Sequence, residues 1–403
     1  MIRRVLYLAV SGSRLGGAEV QYRYLAEDLD RRRYQPVLLT PAYGSLNRAL
    51  DRAGVRNAAA GYPPWRRRTW WARRRARARL VALAREQQIG LVHADFNLGP
   101  YALAIAAALG VPSVLHVRRA LRPSWVRRYG LATASGLIAI GSRYRDDLRA
   151  AGIAAEHVTV IEDAADVQRF APRAEAARAE WPELRGRIVL GLVGRIEPGK
   201  RQLEFLRAVA RLARVGRPVA ALVVGAPNRD WPRYVRRVLA FPAAHAGECP
   251  VRFTGARHDV EALLASLDVL VTLSGGSVML EAMASGVPVV TASDRPPAEL
   301  VMVRDGEAGL VVPAGDADAL VGALARLCDD PALRRALGAR GRQRAEQRYA
   351  RARLARQTEQ FYDALLAADR AAAPSQPGAL PTAALDAAPR PALASRFPGT
   401  RRG

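Results

Sequence analysis

The strongest constraint on the fold is an alternation of short apolar runs with helical stretches, which occurs twice along the chain. Runs such as VLYLAV, IGLVHA and PSVLHV in the first half, and IVLGLVG, PVAALVVGA and LDVLVTL in the second, resemble buried strands. Segments with helical periodicity, such as AEVQYRYLAEDL, separate them. This alternation is typical of parallel sheets covered by helices on both faces. It predicts an α/β fold with two Rossmann-like, doubly wound domains that face each other across a cleft.

The repeat of this pattern also predicts the domain boundaries. We expect a first domain over 1–168, a charged linker over 169–187 and a second domain over 188–350. A helix over 351–370 follows and can return to the first domain. The segment 371–403 is rich in Ala and Pro without periodicity, so we expect it to be disordered. Ligands of such sheets bind beyond the carboxyl ends of the strands, so the cleft is the expected site.

The composition excludes several classes of protein. Half of the 403 residues are apolar and a quarter are charged, which is ordinary for a globular chain. Cys249 and Cys328 lie far apart without metal-binding spacing, so neither a disulfide framework nor a zinc site is indicated. No apolar run approaches the ~18 residues needed to cross a bilayer. We therefore expect a cytoplasmic protein that is soluble or peripheral.

The positive charge is unevenly distributed. The net charge is +25, and the first 150 residues hold 27 arginines against 9 acidic residues. Such an asymmetry indicates an anionic partner for the first domain, and a nucleic acid, an acidic membrane or an anionic substrate would each fit.

Lys200 is the only lysine among the 62 basic residues. It follows Arg195 in the loop VGRIEPGK, between the first predicted strand of the second domain and a helix. Lysine offers a compact point charge where arginine offers a planar fork, so a crowded phosphate site would explain the exception. Chance codon usage in an arginine-rich chain is the alternative explanation. Two cations in one loop before a helix form a good diphosphate clamp.

Two glycine-rich loops fall at the same edge of the predicted sheets. Gly16 and Gly17 precede a helix in the first domain and let the backbone approach a ligand. In TLSGGSVMLEAMASGVPVV, a glycine-rich turn exposes backbone N–H groups, and Glu281 lies about one turn into the following helix, where it can accept hydrogen bonds from sugar hydroxyls. The residues of this turn are Gly275, Gly276 and Ser277.

These motifs resemble those of glycosyltransferases with the GT-B fold, family 4. The resemblance rests on GRIEPGK, GGSVMLEAMASGVPVV, AELVMVRDGEAGLVVPAGDADALVGALARLCDD and the early GGAE, and it covers about residues 3 to 368. It implies transfer of a sugar from a nucleotide donor with retention of anomeric configuration, generally without a bound metal or other cofactor.

The resemblance also implies roles for single residues. Arg195 and Lys200 match the basic pair on the donor diphosphate, and Glu281 matches the second Glu of the family's Glu-x7-Glu motif, near the donor ribose. His116 matches a first-domain His near the reacting sugar. The candidate catalytic residues are therefore His116, Arg195 and Lys200. The loop beside the diphosphate corresponds to Gly16 and Gly17.

The chain departs from the family pattern at three places. Leu273 stands where the first Glu of the motif is expected, and the loop from Asp268 to Glu281 is shorter than usual. Glu162 to Asp166, sequence EDAAD, replaces the common Asn-Gly-x-Asp. The contacts to the donor sugar are therefore expected to differ.

A DxD pair, Asp316 and Asp318, matches the metal-binding signature of a different transferase fold. It follows VVPAG and opens a helix, so Asp316 is expected to be an N-cap. We therefore expect no metal site.

The segment WRRRTWWARRRARAR, from Trp65 to Arg79, holds eight arginines and three tryptophans but no acidic residue. This composition is typical of an interfacial helix at an anionic membrane, although a solvated basic helix would also fit. We expect it to dock the protein peripherally on the inner face of the cell membrane, or to bind the acceptor. The docking candidates are Trp65, Arg66, Arg67, Arg68, Trp70, Trp71, Arg73, Arg74 and Arg75.

The sequence thus predicts a retaining glycosyltransferase of the hexosyltransferase type, acting in glycan or glycolipid assembly on a glycan or lipid-linked acceptor. A nucleotide-sugar epimerase of the same architecture is one alternative. A nucleic-acid-binding protein is the other, but only the charge supports it, because no nucleic-acid-binding signature is present. We expect no nucleic-acid partner.

Overall fold

The computed structural model describes residues 2–12, 16–65, 70–173, 180–245, 249–294, 302–303 and 305–372. The predicted disordered tail lies almost wholly outside these residues, since the description ends at residue 372.

Within the described residues, the first half forms a seven-stranded parallel sheet with the order β3-β2-β1-β4-β5-β6-β7. Its elements in chain order are β1 (Arg3–Leu8), α1 (Gly17–Asp28), β2 (Tyr34–Thr40), α2 (Ser45–Arg52), β3 (Arg56–Ala59), α3 (Trp70–Glu86), β4 (Ile89–Asp95), α4 (Gly99–Leu109), β5 (Ser113–Val117), α5 (Pro123–Tyr129), β6 (Gly136–Ala139), α6 (Ser142–Ala150) and β7 (Val158–Val160).

The described part of the second half forms a six-stranded parallel sheet with the order β10-β9-β8-β11-β12-β13. Its elements are β8 (Ile188–Val193), α7 (Gln202–Arg214), β9 (Val219–Val224), α8 (Pro232–Leu239), α9 (Phe241–Ala244), β10 (Val251–Gly255), α10 (Val260–Ala265), β11 (Val269–Thr272), α11 (Val278–Ala284), β12 (Val289–Ser293), β13 (Gly309–Pro313), α12 (Ala317–Asp329), α13 (Pro331–Arg348) and α14 (Arg351–Ala372).

Each sheet has an apolar core on both faces, because successive residues of a strand point to opposite sides. In β1, Leu6 and Leu8 pack in the core that contains residues of α3 and α4, whereas Val5 and Tyr7 pack in the core that contains residues of α1, α2 and α14. The second sheet likewise packs residues of α7 and α12 on one face and of α10 and α11 on the other. The predicted class of two doubly wound α/β domains is therefore confirmed.

The last helix packs on the first domain. Tyr362 and Leu366 of α14 are buried in the same core as Tyr7. The chain reaches this position beside the end of the first domain, where the Ala165 N–H donates to the Tyr349 carbonyl at 2.8 Å. The first domain is therefore completed by residues from the end of the described chain.

Arg351, the first residue of α14, holds this helix in place. Its guanidinium donates to Asp28 Oδ2 at 2.8 Å, to Glu27 Oε2 at 2.7 Å and to Asp166 Oδ2 at 2.9 Å. It also lies 4.5 Å from the centre of the Tyr24 ring. One side chain therefore joins three carboxylates from two segments of the first half.

No helix in the described residues is both long enough and apolar enough to cross a bilayer.

We predict that Arg351→Met lowers the thermal stability of the protein. The substitution keeps much of the apolar stem but leaves three carboxylates without their shared partner, and breaking such a partly buried network costs on the order of 3 kcal/mol. Arg356→Met, at an exposed position of the same helix, is the matched control. Equal unfolding temperatures for the two variants would contradict the role given to Arg351.

Candidate active site

Two glycine-rich loops, one from each domain, meet between the sheets. A Cβ atom added to Gly17 would lie 3.0 Å from Ser277 Oγ, and one added to Gly16 would lie 2.8 Å from Glu19 Oε2. A side chain at Gly16 would displace the Glu19 carboxylate, and one at Gly17 would press on the Ser277 hydroxyl. The structure brings the predicted Gly16–Gly17 loop directly against the predicted Ser277 turn.

Lys200 joins this cluster from the second domain. It ends a short 3₁₀ turn, Pro198–Lys200, between β8 and α7. Its Nζ donates to Ser274 Oγ at 3.3 Å, and a Cβ atom added to Gly276 would lie 4.0 Å from Nζ. Gly275 and Gly276 have φ angles of 66° and 114°, which favour glycine, so the turn can present its backbone beside the ammonium.

Arg195 lies at the other end of the same loop. Its Nη2 pairs with Glu197 Oε2 at 3.3 Å, and 48% of its side chain is exposed. Burial lowers the pKa of Lys200, opposed by the charge of Glu197 and reinforced by that of Arg195. The loop therefore places two cations close enough to influence each other, one partly buried and one exposed.

Glu281 lies in the first turn of α11, half-buried. Burial raises the pKa of its carboxyl to about 7; the charge of Arg169 opposes this shift, and that of Glu261 adds to it. Arg169 is itself paired with Glu261 at 2.8 Å. The Glu281 carboxyl therefore changes its charge near neutral pH.

Leu273 occupies the place of the family's first Glu, and it packs in the core of the second domain with 6% exposure. The neighbouring Ser274 is exposed and accepts the hydrogen bond from Lys200. A hydroxyl, and not a carboxylate, therefore stands beside the ammonium.

His116 lies at the end of β5 and is 1% exposed. Its Nδ1 is 3.2 Å from His93 Nε2 and 3.1 Å from Arg118 Nη2. Its Nε2 is buried and has no hydrogen-bond partner among the described residues. The ring is therefore hydrogen-bonded through Nδ1, while the buried Nε2 has no partner among the described residues.

Arg118 belongs to a buried ion-pair cluster that the sequence analysis did not identify. Its Nε donates to Asp95 Oδ1 at 3.0 Å, and its Nη1 pairs with Asp163. Burial raises the pKa of both carboxyls, although the guanidinium opposes this. A signal was present in the sequence, because a two-residue spacing on a strand places His93 and Asp95 on one face.

His93 extends the cluster toward α14. Its Nδ1 lies 2.6 Å from the Tyr362 hydroxyl, which lies 2.9 Å from the Tyr7 hydroxyl. Tyr362 is 269 residues from His93 in the sequence, so no local pattern could have indicated this contact.

The EDAAD segment, which departs from the family pattern, is engaged in ion pairs. Glu162 accepts from Arg348 at 2.7 Å, and Asp163 and Asp166 pair with Arg118 and Arg351 respectively. These acids therefore hold the segment against α13, α14 and the His116 cluster.

Asp316 and Asp318 have separate structural partners. Asp316 accepts from the Ala319 N–H at 2.8 Å as the N-cap of α12, as expected, and Asp318 pairs with Arg211 at 2.7 Å. Within the described ranges, no group of three or more His, Cys, Asp or Glu residues could hold a metal ion.

The docking candidates that the structure describes lie on or just before α3 and do not join the cleft cluster, because α3 and α1 cover opposite faces of the first sheet. Trp70 and Trp71 stack with ring centres 3.7 Å apart and are 43% and 66% exposed. Arg74 and Arg75 are also exposed. Arg66, Arg67 and Arg68 lie outside the described residues.

Trp65 and Arg73 differ from the other docking candidates. The Trp65 ring packs edge-on against the Tyr101 ring, with ring centres 5.1 Å apart, and the Arg73 guanidinium lies 4.3 Å from the Trp65 ring centre. These contacts leave both side chains half-buried, and their predicted docking role stays a prediction.

Family comparisons agree with the resemblance seen in the sequence. The family model described as Glycosyltransferase Family 4 matches residues 15–169, and the one described as Glycosyl transferases group 1 matches residues 187–330. The alpha-maltose-1-phosphate synthase of Mycolicibacterium smegmatis is 30% identical over 288 residues, which is 63% of this chain and 73% of that relative. The 2-deoxystreptamine glucosyltransferase of Streptomyces kanamyceticus is 36% identical over 180 residues, 41% of this chain and 44% of that enzyme. The chain thus spans less than half of this second relative.

Solved structures show the same architecture. HepE of Anabaena, crystallised in complex with UDP and glucose, aligns with a TM-score of 0.78 at 22% identity and covers 89% of this chain and 99% of its own. Sucrose-phosphate synthase of Thermosynechococcus elongatus aligns with a TM-score of 0.77 at 20% identity, covering 91% of this chain and 100% of its own. The two sheets and their connections are therefore those of the GT-B fold. On these grounds the chain belongs to the group 1, family 4 glycosyltransferases.

Proposed function

We propose that the protein is a retaining glycosyltransferase, which moves a sugar from a nucleotide-sugar donor to an acceptor hydroxyl in glycan or glycolipid assembly. The observation that carries the proposal is the convergence of Lys200, the Gly275–Ser277 turn and Gly17 at one place between the domains. An ammonium and free backbone donors in a crowded site suit a diphosphate.

These residues act on the step in which the diphosphate leaves. As the bond between the anomeric carbon and the diphosphate oxygen breaks, negative charge develops on the diphosphate. Lys200 and Arg195 supply positive charge there, and the Gly276–Ser277 turn supplies N–H donors. Stabilisation of developing charge by groups already in position is commonly the largest contribution to catalysis.

The acceptor completes the reaction on the same face of the sugar. Its hydroxyl oxygen bonds to the anomeric carbon, and its proton passes to the departing diphosphate oxygen, so charge and atoms balance without a protein nucleophile. Same-face attack retains the anomeric configuration.

The relatives and the site together support a choice of the first donor to test. HepE is described in complex with UDP-glucose, and Glu281 offers a carboxyl to the ribose hydroxyls of such a donor. The absence of a carboxylate at Leu273 suggests that the sugar itself is held differently than in relatives with both acids. UDP-glucose is therefore the first donor to test.

The cations of the chain make a metal ion unnecessary in this proposal. Lys200 and Arg195 can neutralise the diphosphate, while Asp316 caps a helix and Asp318 pairs with Arg211. We therefore expect transfer to proceed in EDTA.

The direct test measures release of nucleoside diphosphate from UDP-, GDP- and ADP-sugars, with and without glycan and lipid-linked acceptors, first in EDTA and then with Mn²⁺ in excess over the chelator. Acceptor-dependent release supports a transferase. Acceptor-independent conversion of the sugar would instead indicate an epimerase, and activity that requires added Mn²⁺ would contradict the metal-free site.

The exposed face of α3 supports a second part of the proposal, which is docking at an anionic membrane. Trp71 is exposed, as are the arginines from Arg74 to Arg79, and an open groove of about 460 Å³ is lined in part by Arg75, Arg79 and Tyr62. Tryptophan favours the headgroup region, and arginine favours anionic lipid. The acceptor would then be lipid-linked or close to the membrane.

We predict that Lys200→Ala lowers the rate of transfer about 100-fold and that Lys200→Arg also loses most of the activity. Loss of a charged contact to a developing anion costs ~3 kcal/mol, or ~100-fold in rate, and a planar guanidinium does not replace a compact ammonium in a crowded turn. The measurement is kcat with the preferred donor. Arg207→Ala, at an exposed position of α7, is the control, and wild-type turnover by Lys200→Arg would contradict the assignment.

We predict that affinity for the nucleoside diphosphate falls as the pH drops below 7. The charged form of Glu281 is the better acceptor for ribose hydroxyls, and its pKa of about 7 means that acid converts it to the neutral form. Between about pH 8 and about pH 6, the ionised fraction falls roughly tenfold. Calorimetric titration at both pH values measures the effect.

The control for this prediction is Glu281→Gln, which has no titrating group at that position. Its affinity should change less with pH than that of the wild type, because only the phosphate and the remaining groups titrate. An identical pH dependence in both proteins would remove Glu281 from the binding site.

We predict that replacing Arg74, Arg75 and Arg77 by Ser weakens binding to anionic vesicles about 100-fold, since each arginine near the surface contributes about 1 kcal/mol. Co-sedimentation with phosphatidylserine-containing and neutral vesicles measures it, and binding should fade with salt. The matched control replaces Arg233, Arg236 and Arg237, exposed on α8. Equal loss in the two triple variants would contradict docking through α3.

A further inference from the structure

A continuous chain of polar contacts runs from the C-terminal helix to His116. It passes from the Tyr7 hydroxyl to the Tyr362 hydroxyl at 2.9 Å, then to His93 Nδ1 at 2.6 Å, and from His93 Nε2 to His116 Nδ1 at 3.2 Å. All four residues are buried, so each polar atom needs a partner within the protein.

Both imidazoles carry one proton each. Burial and the charge of Arg118 lower the pKa of His93 to about 3, and the same two causes, together with His93, lower the pKa of His116 well below its ordinary value. A neutral imidazole has one nitrogen that donates and one that accepts. The proton of His116 therefore lies on either Nδ1 or Nε2.

The chain of polar contacts by itself permits donation in either direction. In one, Tyr362 donates to His93 Nδ1 and His93 Nε2 donates to His116 Nδ1, which leaves the proton of His116 on Nε2. In the other, His116 Nδ1 donates to His93 Nε2 and His93 Nδ1 donates to Tyr362, which leaves His116 Nε2 as a bare lone pair. Hydroxyls can donate or accept, so the tyrosines do not decide.

Arg118 breaks this symmetry. Its Nη2 lies 3.1 Å from His116 Nδ1, and a guanidinium only donates hydrogen bonds. Nδ1 has one lone pair and must then accept, so the proton sits on Nε2; the His93 Nε2–H, at 3.2 Å, shares that lone pair with the guanidinium in a three-centre bond. Pairing with Asp95 and Asp163 holds the guanidinium in this position.

We propose that Arg118 is a positioning residue that fixes the direction of this hydrogen-bond chain, so that His116 presents an Nε2–H donor, and not a basic lone pair, to an oxygen of the bound donor substrate. What the Nε2–H meets rests on the proposed function, whereas the tautomer itself does not. His116 Nε2 is buried and has no hydrogen-bond partner among the described residues, so a donor proton on this nitrogen lacks an acceptor within them.

This assignment restricts the chemistry of the site. A nitrogen that carries a proton cannot take one from the acceptor hydroxyl, so His116 is not the general base of the reaction. It holds an oxygen of the donor substrate in place, and the acceptor proton leaves with the diphosphate.

The tautomer can be measured by NMR on the full chain labelled with ¹⁵N-histidine, which gives signals from only five residues. The His116 signals are those lost in His116→Gln. We expect an unprotonated Nδ1 and a protonated Nε2 in the wild type without ligand. A proton on Nδ1 would overturn the proposal, whether or not the protein proves to be a transferase.

Two variants distinguish the effect of Arg118 on the His116 tautomer from that of the other residues in the hydrogen-bond chain. Tyr362→Phe removes the hydroxyl contact to His93 but leaves Arg118 in place, so the His116 tautomer should not change. Arg118→Lys keeps a positive charge for Asp95 and Asp163 but loses the fork that reaches the imidazole, so both tautomers should appear. If folded Arg118→Lys shows only the Nε2–H tautomer of His116, a group other than Arg118 fixes that tautomer, and the proposal is overturned.

Activity provides an independent readout, because the amide nitrogen of Gln falls near Nε2 of His, and that of Asn falls near Nδ1. His116→Gln should therefore retain a donor and have a kcat about tenfold above that of His116→Asn, with similar affinity of both for the nucleoside diphosphate. Equal kcat values in the two variants would contradict the donor role of Nε2. If the wild-type protein has the expected His116 tautomer but is inactive with every donor, the proposed function is rejected and the tautomer assignment stands.

Discussion

A single buried guanidinium, that of Arg118, organises the first-domain half of the site. It lies where β4 and β5 end, with 11% of its side chain exposed, and neutralises carboxylates from the end of β4 and from the segment after β7. A buried charge of this kind is stable only while its partners stay in place, so the strand ends that carry them are held together. The imidazole of His116 is oriented by the same group.

The second-domain half of the candidate site depends on backbone conformation more than on charge. Gly194, Gly275 and Gly276 have positive φ angles, and a Cβ atom added to Gly194 would lie 3.3 Å from the Lys200 stem. The lysine side chain therefore runs past one glycine toward another. This narrow passage gives a physical reason for the one lysine of an arginine-rich chain, because a compact ammonium needs less lateral space than a planar guanidinium.

The sequence was sufficient for whatever depends on local pattern. The apolar runs predicted the strands of both sheets except β3. This strand has the short sequence RNAA and lies at the edge of the sheet, where its residues are not buried and need not be apolar. The glycine-rich turn at Gly275 and Gly276 and the Asp316 cap were predicted because turn and cap chemistry is local, whereas the role given to Lys200 stays a prediction. The Arg118 cluster and the packing of Trp65 were not, because their partners come from residues far apart in the sequence.

The contact between Tyr7 and Tyr362 joins residues 355 positions apart, and it has a consequence for biosynthesis. The ribosome delivers the first domain early, but α14, which covers one face of its sheet together with α1 and α2, emerges only after the whole second domain. The nascent first domain therefore exposes part of this apolar face, in a state prone to association or chaperone capture. Translation must reach α14 before the core around Tyr7 can close, so the two domains mature as one unit although each has its own sheet.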